Sequence, residues 1–303
     1  MAATFLNPVA AENAPRLLEY LSRAIGGRIE KLNEPPRRLV GGSENRNYLC
    51  SVRVDGHDHR WVLRCEPDSI PEWRRDWGLY DLEREFRVLQ ELPALNLGLP
   101  APAAFGFSDA LGVPSFVMEY LPGTPLAHEY TPSHEKILPA YARAVATVST
   151  IAVAPGSWLS ANLVHRTLDQ DLAWCAEKSH SFRAEPLHDY SLSWLREHRP
   201  PSRPLVMSHG DPNPGNCLAD EGRITGIVDW EFACLTDDAL GSLLRVTWLY
   251  QSEALRPIFC QAMQRDVRDL TWHLALSLFR AVYVFPSPQR PHHSALLASM
   301  VGY

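Results

Sequence analysis

The sequence predicts an α+β chain of two lobes, a small antiparallel β-sheet N-lobe with one internal helix and a larger, mainly helical C-lobe. Three observations predict it. Short strand-like runs alternate with turn residues over the first hundred positions or so. One amphipathic segment, Tyr80 to Leu92, interrupts them, and from about Thr131 the apolar period becomes helical.

In chain order, Pro15 to Ile25 reads as an amphipathic helix. Arg38 to Val40 leads into the turn Gly41-Gly42-Ser43-Glu44-Asn45, followed by a strand from Tyr48 to Val54. Asp55-Gly56-His57-Asp58 is a hairpin signal with Trp61 to Cys65 as the return strand. After the helix ending before Pro93, Ala104 to Phe107 and Ser115 to Tyr120 form a second strand pair, closed by Pro122-Gly123. Residues 118 to 124 make the hinge between the lobes. Ile137 to Ile151 is the clearest helix beyond it, Leu205 to Met207 is a strand, and the chain from Asp238 to about Val284 is helical before a proline- and histidine-bearing tail.

At 303 residues with 46% apolar and 21% charged, the chain is long enough to bury a core without staples. Its 29 basic and 35 acidic residues give a net charge of −6, which argues against a nucleic-acid partner or a polybasic membrane anchor. The basic residues divide unequally: three lysines (Lys31, Lys136 and Lys178) against 26 arginines. The six cysteines are scattered without metal-binding spacing and read as buried free thiols of a reducing compartment. Met1 to Ala14 lacks the pattern of a secretory signal, and Leu270 to Phe285 is too short and too polar to span a bilayer, so a cytoplasmic location is expected.

The chemistry concentrates in Ser208 to Glu231. A strand delivers His209-Gly210-Asp211, Asn216 follows five residues later, and a hairpin turning at Asp220-Glu221-Gly222 leads to Asp229 and Glu231. Folding that hairpin sets residue 216 opposite about residue 226 or 227, so Asn216 and Asp229 reach one open end. Mg²⁺ takes hard oxygen ligands of this kind, and a separate carboxylate must accept the proton of an attacking hydroxyl. Asp211 has that place, and Glu231 adds a carboxylate nearby.

His209-Gly210-Asp211-x-x-x-x-Asn216 with Ile227-Val228-Asp229-Trp230-Glu231 resembles the catalytic segment of the aminoglycoside phosphotransferase and choline kinase family, over about Leu39 to Tyr250. The resemblance implies a bilobal, protein-kinase-like fold, with 1–120 as the nucleotide-binding N-lobe and 121–303 carrying the catalytic loop, metal site and acceptor pocket. It implies Asp211 as catalytic base, His209 as a brace for the loop, and Mg²⁺ held by Asn216 and Asp229, with ATP or GTP as co-substrate. It also implies a nucleotide pocket built from the turn at Gly42 and Ser43 and from the hinge backbone at Glu119 and Leu121.

A kinase fold needs a cation on the third strand, paired to a glutamate on the next helix. No lysine stands between positions 31 and 136, and Arg64 holds the expected strand position. At about 100° per residue, Glu85 falls inside the apolar stripe of Phe86, Leu89 and Leu92, which calls for a cationic partner. Arg64 and Glu85 are therefore the expected pair. From Asp229 to Tyr303 there are seven acidic and six basic residues, no excess of carboxylates for a polycationic acceptor. The expected activity is transfer of a γ-phosphoryl group to a hydroxyl of a small molecule, an antibiotic or an amino- or sugar-like metabolite, by a monomer or homodimer. The alternatives are a non-catalytic nucleotide-binding module, suggested by Arg64 and by Gly241 where the family usually has an aspartate, and a metal-dependent hydrolase built on Asp211, Asp229 and Glu231.

Overall fold

Asp55 and Gly56 take φ of 48° and 75° in a computed structural model of the chain. Two successive left-handed residues match the twist of the strands they join, so pairing starts at once, Val54 against His57. The return strand therefore runs from His57, four residues earlier than the sequence suggested. The structure describes residues 7–39, 46–67, 69–70, 81–285 and 289–303. The turn holding Gly42 and Ser43 lies outside the described residues.

The chain divides into two units, Met1–Leu126 with Gly215–Phe232, and Ala127–Pro214 with Ala233–Tyr303. The first is built on a six-stranded antiparallel sheet of β1 (Ile29–Leu32), β2 (Arg37–Arg38), β3 (Arg46–Val54), β4 (His57–Cys65), β5 (Ala104–Ser108) and β6 (Ser115–Glu119). β4 lies between β3 and β6, which places Arg64 between Asn47 and Phe116. The amphipathic helix α1 (Ala14–Ile25) buries Leu17, Tyr20 and Leu21 in a cluster with Cys50, Val52, Leu63 and Val117. The internal helix α2 (Leu82–Glu91) starts at Asp81, whose carboxylate accepts the Arg84 amide at 2.9 Å.

The hairpin Cys217–Asp220/Arg223–Ile227 belongs to this first unit, paired to the short strand β7 (Thr124–Pro125). Its register breaks between Leu218 and Ala219, which pair with Gly226 and Ile224. The skipped residue, Thr225, donates from its hydroxyl to the Pro122 carbonyl at 2.6 Å. The bulge sets residue 216 against residue 228, where an even count around the turn gave 226 or 227. Gly226 leaves room for Leu121 and Pro100: a Cβ there would lie 2.4 Å from Leu121 Cδ1, which would have to turn aside, and 3.3 Å from the Pro100 carbonyl oxygen.

The second unit is mainly helical, around a three-stranded patch in which Cys234–Thr236 pairs with Val206–Ser208 and with Val164–His165. Leu172, Cys175, Leu195, Trp272, Phe279 and Tyr283 form its main cluster. The expected tail instead forms a helix, Arg290–Val301, which buries Leu297 and Val301. Pro291 stands in its first turn, where a missing N–H costs nothing. All six cysteines are free and buried. Among the described residues no helix is long and apolar enough to cross a membrane.

A buried ion cluster ties the 3₁₀ segment Ala239–Arg245 to the helix Leu270–Phe279. The Asp238 carboxylate caps the Leu240 amide at 3.1 Å, receives Arg265 at 2.8 and 3.2 Å, and lies 3.3 Å from His273 Nε2. Burial pushes the Asp238 pKa up, but His273 and Arg265 outweigh it and hold the carboxyl well below its ordinary range. Its stabilising effect is thus complete above the unfolded-state value of about 3.9 and fades as pH falls through the lower folded value. Asp238→Ala is expected to cost about 3 kcal/mol at pH 7, since it leaves Arg265 with Asp269 alone as carboxylate partner and the Leu240 amide uncapped. Urea titrations should show that gap narrowing at pH 3.

Candidate active site

β4 carries Arg64 into the interior of the first unit, where its guanidinium meets three carboxylates. Nε donates to Glu85 Oε2 at 2.8 Å, and Nη2 donates to Asp229 Oδ1 at 2.5 Å and to Glu231 Oε2 at 3.3 Å. Nη1 lies 3.5 Å from Asn47 Oδ1. Burial acts to lower the Arg64 pKa, but Glu85, then Asp229 and Glu231, overcome it and raise it above the ordinary guanidinium value. The planar fork suits this, since it presents N–H donors along separate edges to separate carboxylates. The expected pair with Glu85 is formed, and two further partners join it from residues more than 160 positions away.

Asp229 and Glu231 reach Arg64 because of how the hairpin ends. The Val228 amide donates to the Asn216 carbonyl at 2.9 Å, extending the ladder one step beyond Cys217 and Ile227. Asp229 then turns with φ 68°, a left-handed conformation that aspartate tolerates better than most residues. Trp230, fully buried, fixes the next turn by donating Nε1–H to the Ile227 carbonyl at 3.2 Å. Asn216 and Asp229 thus stand at one end of the hairpin, offering an amide oxygen and a carboxylate. These are hard donors of the type Mg²⁺ takes, and they fit it, with Asp229 Oδ1 also held by Arg64. Glu85, Asp229 and Glu231 bring one oxygen each within 4.8 Å of one another.

In the second unit, Ser208 hands the chain to His209-Gly210-Asp211. His209 is fully buried; its amide donates to the Val148 carbonyl at 2.7 Å, and its Nδ1 accepts the Asp211 amide at 3.3 Å. That accepting nitrogen assigns the ring proton, in the neutral form, to Nε2. Gly210 takes φ 81° to make the bend. Tyr141 donates to the Pro212 carbonyl at 2.8 Å, and Asn213 Nδ2 donates to Asp211 Oδ2 at 3.0 Å. The loop is pinned on both sides of Asp211, whose carboxylate stays partly open to solvent.

At the expected hinge, the Glu119 amide donates to the Ala103 carbonyl at 2.8 Å and the Tyr120 amide to the Arg60 carbonyl at 3.4 Å. Among the described residues the Leu121 amide has no hydrogen-bond partner. Gly241 stands 3.7 Å, measured from an added Cβ, from His273 Nδ1, so His273 fills the space beside it and pairs with Asp238 instead. Sequence reasoning missed one group in the second unit, the arginines Arg166 and Arg280, which share Asp171. They are dispersed along the chain and carry no motif that would have joined them.

The chain belongs to the phosphotransferase enzyme family: the model of that family matches residues 36–248. Among curated proteins, acyl-CoA dehydrogenase family member 10 of Mus musculus is 24% identical over 210 residues, which are 65% of this chain and 18% of that protein. The chain thus spans only a minor part of the curated relative it matches. Among solved structures, it is similar to choline kinase LicA from Streptococcus pneumoniae (TM-score 0.63, 13% identity, covering 96% of this chain and 99% of that one). It is also similar to APH(2")-IIa in its ternary complex with streptomycin and ATP (TM-score 0.59, 16% identity, covering 95% and 96%). These likenesses establish a protein-kinase-like fold.

Arg64→Met should leave two buried carboxylates, Glu85 and Glu231, and the half-buried Asp229 without their shared cation and destabilise the protein by about 3–5 kcal/mol. Arg64→Lys should recover part of that loss. Chemical denaturation of the two variants beside the unchanged protein checks both.

Proposed function

We propose that the protein transfers the γ-phosphoryl group of ATP or GTP to a hydroxyl of a small molecule, with Asp211 as the base and Asn216 and Asp229 as ligands of Mg²⁺. The observation that carries this reading is the bond from the Val228 amide to the Asn216 carbonyl. It supports the reading by pairing the backbone of residue 216 with residue 228, next to Asp229, five and eighteen residues after Asp211.

Asp211 aligns the acceptor hydroxyl and takes its proton as the oxygen forms its bond to phosphorus and the nucleoside diphosphate leaves with the electrons of the broken bond. His209 orients the loop by accepting the Asp211 amide. Mg²⁺ held by Asn216 and Asp229 would supply positive charge to offset that of the phosphates. Arg64 is placed to hold Asp229 and to face phosphate with any donor its three carboxylates release. The Leu121 amide is the hydrogen-bond donor we assign to the nucleotide base, and the turn at Gly42 and Ser43 is assigned to the phosphates. Buried reduced thiols suit a cytoplasmic enzyme. The similar proteins bear names that span choline and an aminoglycoside, so the acceptor class remains to be drawn from this chain's own residues.

One observation favours the non-catalytic alternative: Arg64 occupies Asp229 Oδ1. Turnover separates the two readings. Asp211→Ala is expected to lower acceptor-dependent release of ADP or GDP by about 10²–10⁴-fold while calorimetry still detects the Mg²⁺-nucleotide complex. Near-normal turnover in that variant would remove Asp211 from its role.

A further inference from the structure

Glu231 reads from its position as one more oxygen near the metal, but its side chain is turned to a cation that the chain itself supplies. Arg64 stands among the carboxylates of Glu85, Asp229 and Glu231 and donates to each of them, at 2.8, 2.5 and 3.3 Å. Asp229 and Glu231 draw on the same nitrogen, Nη2, which has two N–H groups, one for each. The contact to Asp229 is the shorter, and it falls on Oδ1 of a residue assigned to Mg²⁺.

Access to solvent divides these four side chains. Arg64, Glu85 and Glu231 are 4%, 1% and 9% exposed, whereas Asp229 is 27% exposed. A hydrated divalent ion can therefore approach Asp229 while the other three stay covered. Glu85 and Glu231 are also fixed by their elements. Glu85 belongs to helix α2, and Glu231 follows Trp230, whose buried indole is bonded to the Ile227 carbonyl. Asp229 is thus the exchangeable partner of Arg64, and the two glutamates are the lasting ones. A guanidinium and a divalent ion on one carboxylate repel each other, and more strongly where little water screens them.

We propose that Arg64 competes with the divalent ion for Asp229, and that Glu231 is a positioning residue, which holds Nη2 while Asp229 turns to the metal, rather than a metal ligand itself. This rests on the reading of Asn216 and Asp229 as the ligands. As long as Arg64 bonds Asp229 Oδ1, it offsets the charge of that carboxylate and keeps it in place. Once Asp229 lets go, a guanidinium without Glu231 would keep Glu85 as its one carboxylate among the described residues, a costly state for a buried charge. Glu231 therefore sets how readily Asp229 is released, although it does not touch the ion.

Mn²⁺ serves as the probe. Free Mn²⁺, counted by electron paramagnetic resonance with ADP present, measures the affinity for the ion and needs no turnover. Glu231→Gln is expected to weaken Mn²⁺ binding about tenfold, the size of one charge-assisted hydrogen bond. ADP binding in EDTA, followed by calorimetry, should stay unchanged, whereas a merely structural loss would move both. Arg64→Met should tighten Mn²⁺ binding and, combined with Glu231→Gln, remove the effect of the latter. Because Arg64→Met is itself destabilising, a crystal structure of the unchanged protein with Mn²⁺ and ADP gives an independent reading. It should show Arg64 Nη2 on Glu231 and withdrawn from Asp229 Oδ1.

An oxygen of Glu231 in the Mn²⁺ coordination shell would overturn the proposal, as would Arg64 still bonded to Asp229 Oδ1 beside the ion. An equal loss from Glu231→Gln with and without Arg64, or no loss at all, would do the same. Mn²⁺ affinity that ignores Asn216→Ala would instead strike the ligand assignment on which the proposal rests, and the proposal with it.

Discussion

A buried guanidinium is tolerable only when its donors are matched, and the first unit is arranged around that requirement. Arg64 lies on a central strand with no access to solvent, so a charge there without partners would cost several kcal/mol. Helix α2 supplies Glu85 from one side, and the hairpin supplies Asp229 and Glu231 from the other. Much that seems incidental nearby serves this meeting. The bulge at Thr225 fixes the register, Gly226 clears space for Leu121, and the left-handed turn at Asp229 aims its carboxylate. Arginine holds this arrangement with donors spread over the edges of its planar fork, where a lysine would bring one compact ammonium.

The second unit shows the opposite use of the same residue type. Arg265 is spent on Asp238, and Arg166 and Arg280 are largely spent on Asp171, whereas Arg245 has no counter-ion among the described residues. Three of these contacts are structural by their geometry, and the fourth residue is not explained by packing or pairing. The balanced acid and base count of the last seventy-five residues already disfavoured a polycationic acceptor.

How much was legible in the sequence follows from how local each signal is. The amphipathic stripe of α2 placed Glu85 inward, and strand alternation placed Arg64, so their pairing was readable from segments twenty-one residues apart. The motif from His209 to Glu231 was readable because its spacing is short. The hairpin register was misjudged by one or two residues, since a bulge depends on which side chains crowd Leu121 and Pro122, and those come from another part of the chain. The final helix was hidden by Pro291 and two histidines, which resemble a tail until Leu297 and Val301 are seen to be buried. The attachment of Asp229 and Glu231 to Arg64, and the meeting of Arg166 and Arg280 at Asp171, depend on long-range packing that no window of sequence contains.

The discontinuous first unit has a consequence for synthesis. Arg64 and Glu85 emerge from the ribosome together, but Asp229 follows 165 residues after Arg64. At about 5–20 residues per second, that is a delay on the order of ten seconds or more. During that interval the nascent sheet holds a guanidinium with one of its three carboxylates, and β7 waits for the hairpin it pairs with. The N-terminal segment therefore cannot reach its final state in the order in which it is made. Its hairpin arrives only after just over half of the second unit has been translated, so the six-stranded sheet, complete by Glu119, holds a partly matched guanidinium in the meantime.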